Sequence, residues 1–268
     1  LFESPTATIA DSAVVEAARS AGLPLLAGPM LGELSAHGVT VWLRPSVVGP
    51  MAIQVGSKGA NRAFPFDVAE PGAVMRVGVA GLVADTAHTY TIVNEAGEQV
   101  AEGAFRTAPG SGSTESLRIA FGSCFHKIGV HNPNLMRLVA ERGNRAMLLL
   151  GDLAVDDREA RFNEHYADYL LRDVSQAWRD FTEKVPVYAS WDDHDYLNND
   201  KSGLQRGRIT DEDRRALRLL WQENWVNPQT EVADRGIYFN TVVGDVEIIM
   251  LDARSCREWE RRGERGAY

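Results

Sequence analysis

The chain has 268 residues, enough for one or two domains with an ample core, and its 44% hydrophobic and 24% charged content is ordinary for a globular protein. A net charge of −9, with no Lys/Arg cluster interleaved with aromatics, argues against a nucleic-acid-binding module. No apolar run approaches the ~18 residues needed to span a bilayer, so no transmembrane segment is expected.

In chain order, Asp11 to Ala21 is Ala-rich with apolar spacing and predicts a short helix ended by Gly22. Val39 to Leu43 alternates in the strand manner and is stopped by Pro45; Met51–Val55, Val74–Val79, His88–Val93 and Val100–Thr107 are further short runs between turn residues. This spacing predicts an antiparallel β-sandwich over 27–107, preceded by a helix and extension over 1–26. His37 and His88 read as surface or strand-face residues rather than ligands. The Gly/Ser-rich segment 108–116 reads as a linker.

From 117 onward the pattern becomes strand–helix–strand. Leu117–Gly122 predicts a strand, Asn132 before Pro133 starts a helix running to Arg142, and Ala146–Leu150 is a second strand. One long helix is predicted from about Arg158 to Lys184, with Phe162, Tyr166, Tyr169, Leu170, Val174, Ala177, Trp178 and Phe181 as its core stripe. Val185–Ser190 is a third strand. Thr210–Asp213 resembles a capping box opening a helix through Trp225, and Ile237–Val243 with Val246–Leu251 predicts a hairpin turning at Gly244 and Asp245. The last fourteen residues are charged and close no evident element.

Three apolar strands each deliver a potential ligand at the carboxyl end: Cys124, Asp152, and Asp193 with His194. Open α/β sheets build sites at that edge. Asp192, Asp193 and Asp195 repel one another around His194 unless something positive neutralises them, and a metal ion is the simplest candidate. A phosphate-bearing substrate is compatible with the acidic chain, because bound cations supply a positive field locally. Cys124 and Cys256 make no disulfide framework, and a bridge between them would consume the cysteine best placed for metal. A competing reading takes Ser123 or Cys124 as a nucleophile on a strand-to-helix turn, but Gly-x-Ser-x-Gly is not satisfied, and His126 and His131 read as solvated loop residues.

The ordered set Phe121–Cys124, Leu150–Asp152, Trp191–Tyr196 with Asn198–Asp200, and Leu251–Arg254 resembles the PhoD-like alkaline phosphatases, a branch of the metallophosphoesterases. Gly28–Gly32 followed by Val41–Arg44 is similar to the immunoglobulin-like or fibronectin-like domain that precedes their catalytic domain. The resemblance implies an α/β, mixed-sheet metallophosphoesterase-like domain over 117–268 behind an all-β sandwich, acting on phosphate mono- or diesters with Fe3+ and Ca2+. It implies Cys124 as the thiolate ligand, Asp152 as the bridging carboxylate and Asp193 on the second metal. His194 would meet the phosphoryl group or protonate the leaving alcohol, and Arg254 would steady a phosphate oxygen or pair with a carboxylate. The family usually has Tyr where this chain has Val155, followed by Asp156 and Asp157, which opens the metal to Mn2+, Zn2+ or ferrous iron. Family members also continue to a later Gly-Asp-x-His-like motif, so the expectation is a C-terminally incomplete catalytic domain. The alternative is a non-catalytic binding protein carrying a degenerate phosphatase domain. Leu1 in place of Met, together with the family's habit, leads to the expectation of an exported protein, periplasmic or extracellular.

Overall fold

The structure is a computed structural model that describes residues 11–57, 60–153, 162–197, 199–203, 210–229 and 236–257. A short helix, α1 (Ser12–Ser20), leads into seven strands: β1 (Leu25–Ser35), β2 (Gly38–Pro45), β3 (Gly49–Ser57), β4 (Ala60–Val68), β5 (Met75–Ala80), β6 (Ala87–Asn94) and β7 (Gln99–Arg106). They form two antiparallel sheets, ordered β1-β2-β5 and β4-β3-β6-β7.

Two of these strands go beyond the sequence reading. β4 carries Pro65, which cannot donate to a ladder, and it is tolerated because β4 is an edge strand. β1 is interrupted by Gly28, Pro29 and Gly32, and its pairing with β2 slips at three places. Gly32 has a packing reason: a Cβ there would lie 2.5 Å from the Val226 side chain and carbonyl. In β6 the alternation turns His88, Tyr90 and Ile92 inward, so His88 is a buried strand-face residue stacked on Phe105.

The second half is built from β8 (Ile119–Gly122), α2 (His126–Val130), α3 (Pro133–Glu141), β9 (Ala146–Leu150), α4 (Phe162–Asp173), α5 (Gln176–Thr182), β10 (Val187–Ser190), α6 (Asp193–Tyr196), α7 (Asp211–Asn224), β11 (Phe239–Val243) and β12 (Val246–Met250). β8, β9 and β10 are parallel in the order β10-β9-β8, and β11 pairs antiparallel with β12. The capping signals act as expected. The Asn132 side chain accepts from the amides of Asn134 and Leu135, and Thr210 exchanges bonds with Asp213. The single helix expected over 158–184 is instead two within the described residues. Ser175 caps the second by accepting from the Trp178 amide. The apolar spacing runs through the break because Tyr169, Ala177, Trp178 and Phe181 all bury in one cluster, which hides the break from a periodicity argument. The side chains of Phe162 and Tyr166, named in that stripe, lie outside the described residues.

The two halves share their core. Ala146, Tyr188, Phe239, Val243, Ile248 and Met250 pack in one cluster with residues of the two antiparallel sheets such as Leu31, Val41 and Ile53, while Ala27, Met30 and Trp42 belong to the cluster of α5, α7 and β10. Ala108, at the start of the expected linker, is fully buried, and Gly112 donates its amide to Asp245 in the hairpin turn.

The tightest join is at the carboxyl end of α7, where helix carbonyls lack intrahelical partners. Trp42 Nε1 donates to Glu223 O (2.8 Å), Arg172 to Asn224 O (2.9 Å), and Arg76 to the carbonyls of Gln222 (2.6 Å) and Trp225. Arg44 adds bonds to the side chains of Glu223 (2.8 Å) and Asn224 (3.2 Å). Cationic donors at this pole also complement the helix dipole. Arg172 is fully buried, and its guanidinium lies 4.6 to 5.8 Å from the ring centroids of Trp225, Tyr169, Trp178 and Trp42 while pairing with Asp173 at 2.7 Å.

Removing that guanidinium leaves the Asp173 carboxylate buried without its partner. Arg172→Met is expected to cost about 3–5 kcal/mol in urea unfolding. The double change with Asp173→Asn should cost less than the sum of the two singles, and strict additivity would reject the coupling. A second test concerns His165, whose imidazole is pushed down to about 4 by burial. Its folded value lies below the ordinary 6.5, so the unfolded chain takes the proton first. The stabilisation is therefore full above about pH 6.5 and is lost as pH falls towards 4, amounting to about 3 kcal/mol. His165→Leu should flatten this part of the fall in urea midpoint, and a gap between wild type and variant that stays constant over that range would contradict it.

Candidate metal centre

Parallel pairing of β8, β9 and β10 sets Gly122 beside Leu149 and Leu150 beside Ser190, so the three following loops leave the same edge of the sheet. The loops are tied by backbone. The Cys124 amide donates to Gly151 O (2.9 Å) and the His126 amide to Asp152 O (3.1 Å). Cys124, His126 and Asp152 take left-handed φ values of 57°, 53° and 53°, a region non-glycine residues adopt at a cost of about 1–3 kcal/mol each, and such residues concentrate at functional sites. Gly151, at φ 99°, allows the closest approach: a Cβ there would lie 2.5 Å from both the Cβ and the amide nitrogen of Asp192.

This packing brings Asp152, Asp193 and His194 together, each offering a ligand atom within 4.8 Å of the others. Cys124 joins through Asp152, its Sγ lying 3.7 Å from Asp152 Oδ2. Asp193 is buried, Asp152 and His194 are partly exposed, and Cys124 is exposed. Burial raises the pKa of Asp152, the Asp192 and Asp193 carboxylates raise it further, and His194 acts in the opposite direction. Asp152 Oδ1 is buried with no hydrogen-bond partner among the described residues. Two crowded carboxylates, an imidazole, an adjoining thiol and an orphaned carboxylate oxygen make a donor set that fits a cation.

Arg254 pairs chiefly with Asp192 (Nε to Oδ1, 2.5 Å) and stands 3.6 Å from Asp193 Oδ1. The other Asp193 oxygen accepts the Asp200 amide at 2.6 Å. Arg254 is presented by a collar around Asp252, whose carboxylate accepts from Trp191 Nε1 (2.7 Å) and the amides of Ile237 (2.9 Å), Arg254 (3.1 Å) and Ser255 (2.9 Å). Asp195 accepts from the amides of Asp152, Leu153 (3.1 Å) and Asp192 (3.0 Å). Burial pushes its carboxyl up to about 7 against the pull of those three donors. Sequence reasoning gave no separate roles to Asp192, Asp195 and Asp252. The crowding of three carboxylates within 191–195 signalled a need for partners without naming them, and the fold gives Asp192 a guanidinium and Asp195 backbone amides.

Cys124 and Cys256 are not joined in a disulfide. His126 begins α2 rather than lying in open loop, and His131 Nε2 sits 2.9 Å from Leu171 O, so neither is a merely solvated residue. Val155, Asp156, Asp157 and Asn198 lie outside the described residues. No helix among the described residues is long and apolar enough to cross a membrane.

Residues 149–266 match the model of the PhoD-like phosphatase family. This stretch contains Asp152, Asp193, His194 and Arg254, and the PhoD-like resemblance of the sequence motifs is upheld there. The fold of a solved PhoD structure matches with a TM-score of 0.68 at 18% identity, covering 88% of this chain and 53% of that one. A purple acid phosphatase from yellow lupin (Lupinus luteus) seeds matches with a TM-score of 0.63 at 13% identity, covering 89% and 46%. At these identities the likeness is one of fold, a mixed α/β architecture with several sheets, and the chain spans about half the length of each structure. No curated protein matches the chain.

The contact at Gly151 gives a direct test of how closely the PhoD-like loops must pack. Gly151→Ala sets a Cβ against the Asp192 backbone at a left-handed position and should cost about 2–4 kcal/mol in urea unfolding. It should also weaken metal uptake, measured by titration with Mn2+. Wild-type stability and uptake in this variant would mean that the two loops are free to separate.

Proposed function

We propose that the protein is a metal-dependent phosphatase that hydrolyses phosphate esters, mono- or diesters, by a metal-activated water. The observation that carries this reading is the convergence of Asp152, Asp193 and His194 within 4.8 Å at the carboxyl edge of a parallel sheet, inside the PhoD-like stretch. In this reading Cys124, Asp152 and Asp193 hold the metal, with Fe3+ and Ca2+ favoured by a thiolate beside hard carboxylate oxygens and Mn2+ or Zn2+ as alternatives. A bound cation supplies Lewis acidity there, polarising the phosphoryl group and lowering the pKa of water. Asp152 would be the carboxylate shared between metals, as the family resemblance implies.

His194 is assigned to the substrate side. Its partial exposure beside the carboxylates suits contact with the phosphoryl group or protonation of the departing alkoxide. Arg254 is assigned first to Asp192: the 2.5 Å contact holds that carboxylate and offsets its charge close to Asp193. We also read the seven N-terminal strands, in sheets of three and four, as an immunoglobulin-like or fibronectin-like sandwich over 27–107, joined through 108–116 to the phosphatase domain. Export is part of the same proposal and follows from the family's habit.

The test is turnover of p-nitrophenyl phosphate and bis(p-nitrophenyl) phosphate before and after chelation, beside elemental analysis. Activity should vanish with chelator and return with metal. Asp152→Asn and Asp193→Asn should each lose more than the roughly 10–100-fold typical of outer partners of a metal site, and Cys124→Ala should lower iron content. Turnover indifferent to chelation would reject the reading, and a chain that takes up no metal would favour a binding role for the same fold.

A further inference from the structure

Asp195 is the last carboxylate of the crowded motif, and it faces backbone rather than the cluster. Its two oxygens accept three amide N–H groups from two loops: Asp152 and Leu153 after β9, and Asp192 after β10. The arrangement around Asp152 is more constrained than these bonds alone suggest. The peptide unit before Asp152 is held at both ends, its carbonyl (Gly151 O) by the Cys124 amide and its N–H by Asp195 Oδ2. The unit after it is held likewise, its carbonyl (Asp152 O) by the His126 amide and its N–H (Leu153 N) by Asp195 Oδ1. Both peptide planes that define Asp152 are thus pinned between the loop after β8 and Asp195. That accounts for a non-glycine residue resting at φ 53°.

We infer that Asp195 is a positioning residue: it fixes the backbone of Asp152 and ties the Asp152 loop to the Asp192–Asp193 loop, so that the cluster carboxylates converge without Asp195 touching metal or substrate. The inference rests on the metal-centre reading above for its consequence and on backbone geometry for its content. A carboxylate is required because all three contacts are donors. An Asn in its place has one acceptor oxygen and would turn an NH2 group towards at least one N–H.

The experiment compares Asp195→Asn with Asp245→Asn, a control that removes a backbone-binding carboxylate at the hairpin turn, remote from the centre. Each protein is titrated with Mn2+, and hydrogen exchange is read at the amides of Asp152, Leu153 and Asp192. Asp195→Asn should weaken Mn2+ binding by roughly 10–100-fold, the range typical of outer-shell partners, and should lose protection at all three amides; the control should match wild type in both. Unchanged affinity with unchanged protection overturns the inference. If wild type binds no Mn2+, the exchange data alone decide this inference, and the metal reading is judged separately by the chelation and elemental analysis above. If Asp195→Asn does not fold, the wild-type protein still decides: rapid exchange at Asp152 and Leu153 would overturn the proposal, and slow exchange would support it.

Discussion

The carboxyl end of α7 is the point on which the two halves depend. Arg44 and Arg76 reach it from β2 and β5, Trp42 from β2, and Arg172 from α4, so that the final carbonyls of one helix collect donors from both halves of the chain. The connection continues towards the edge of the parallel sheet. Asn227, just beyond the helix, bonds through its side-chain amide to both the N–H and the C=O of Ala189, each at 2.8 Å. In doing so it occupies the open edge of β10 as a neighbouring strand would. Ala189 lies two residues before Trp191, which packs edge-on to Trp221 and Tyr196 and donates to Asp252. The two N-terminal sheets are therefore linked to the floor of the candidate metal centre through hydrogen bonds and edge-on ring contacts.

The centre is a problem of charge density solved by assigning each carboxylate a different partner. Asp192 has a guanidinium, Asp195 and Asp252 have backbone amides, and Asp152 and Asp193 keep oxygens turned to one another and to His194. Burial, and after it the Asp192 and Asp193 carboxylates, raises the pKa of Asp152, and a cation is the remedy that chemistry offers most directly.

Much of this could be read from sequence. Alternation over Val39–Leu43 and short runs between turn residues located five of the seven N-terminal strands, continuous apolar runs located the parallel sheet, and strand-end placement selected Cys124, Asp152, Asp193 and His194 as candidates. What escaped had physical causes. Proline and glycine masked β4 and β1, whose roles as an edge strand and as a surface pressed against Val226 belong to tertiary structure. The Ser175 break was silent because both helices bury into the same cluster. Asp195 and Asp252 were invisible as braces because their partners are backbone amides, which carry no mark in a sequence, and several of those amides are distant along the chain.

Four non-glycine residues around the centre, Cys124, His126, Asp152 and Asp200, sit at left-handed φ, where glycine would rest with less strain. Two of these positions, 124 and 152, carry a thiol and a carboxylate that glycine cannot supply. Glycine at 124 and 152 would relieve backbone strain and at the same time remove both side chains, so the thiol and the carboxylate are held in place against a backbone cost that the rest of the fold meets.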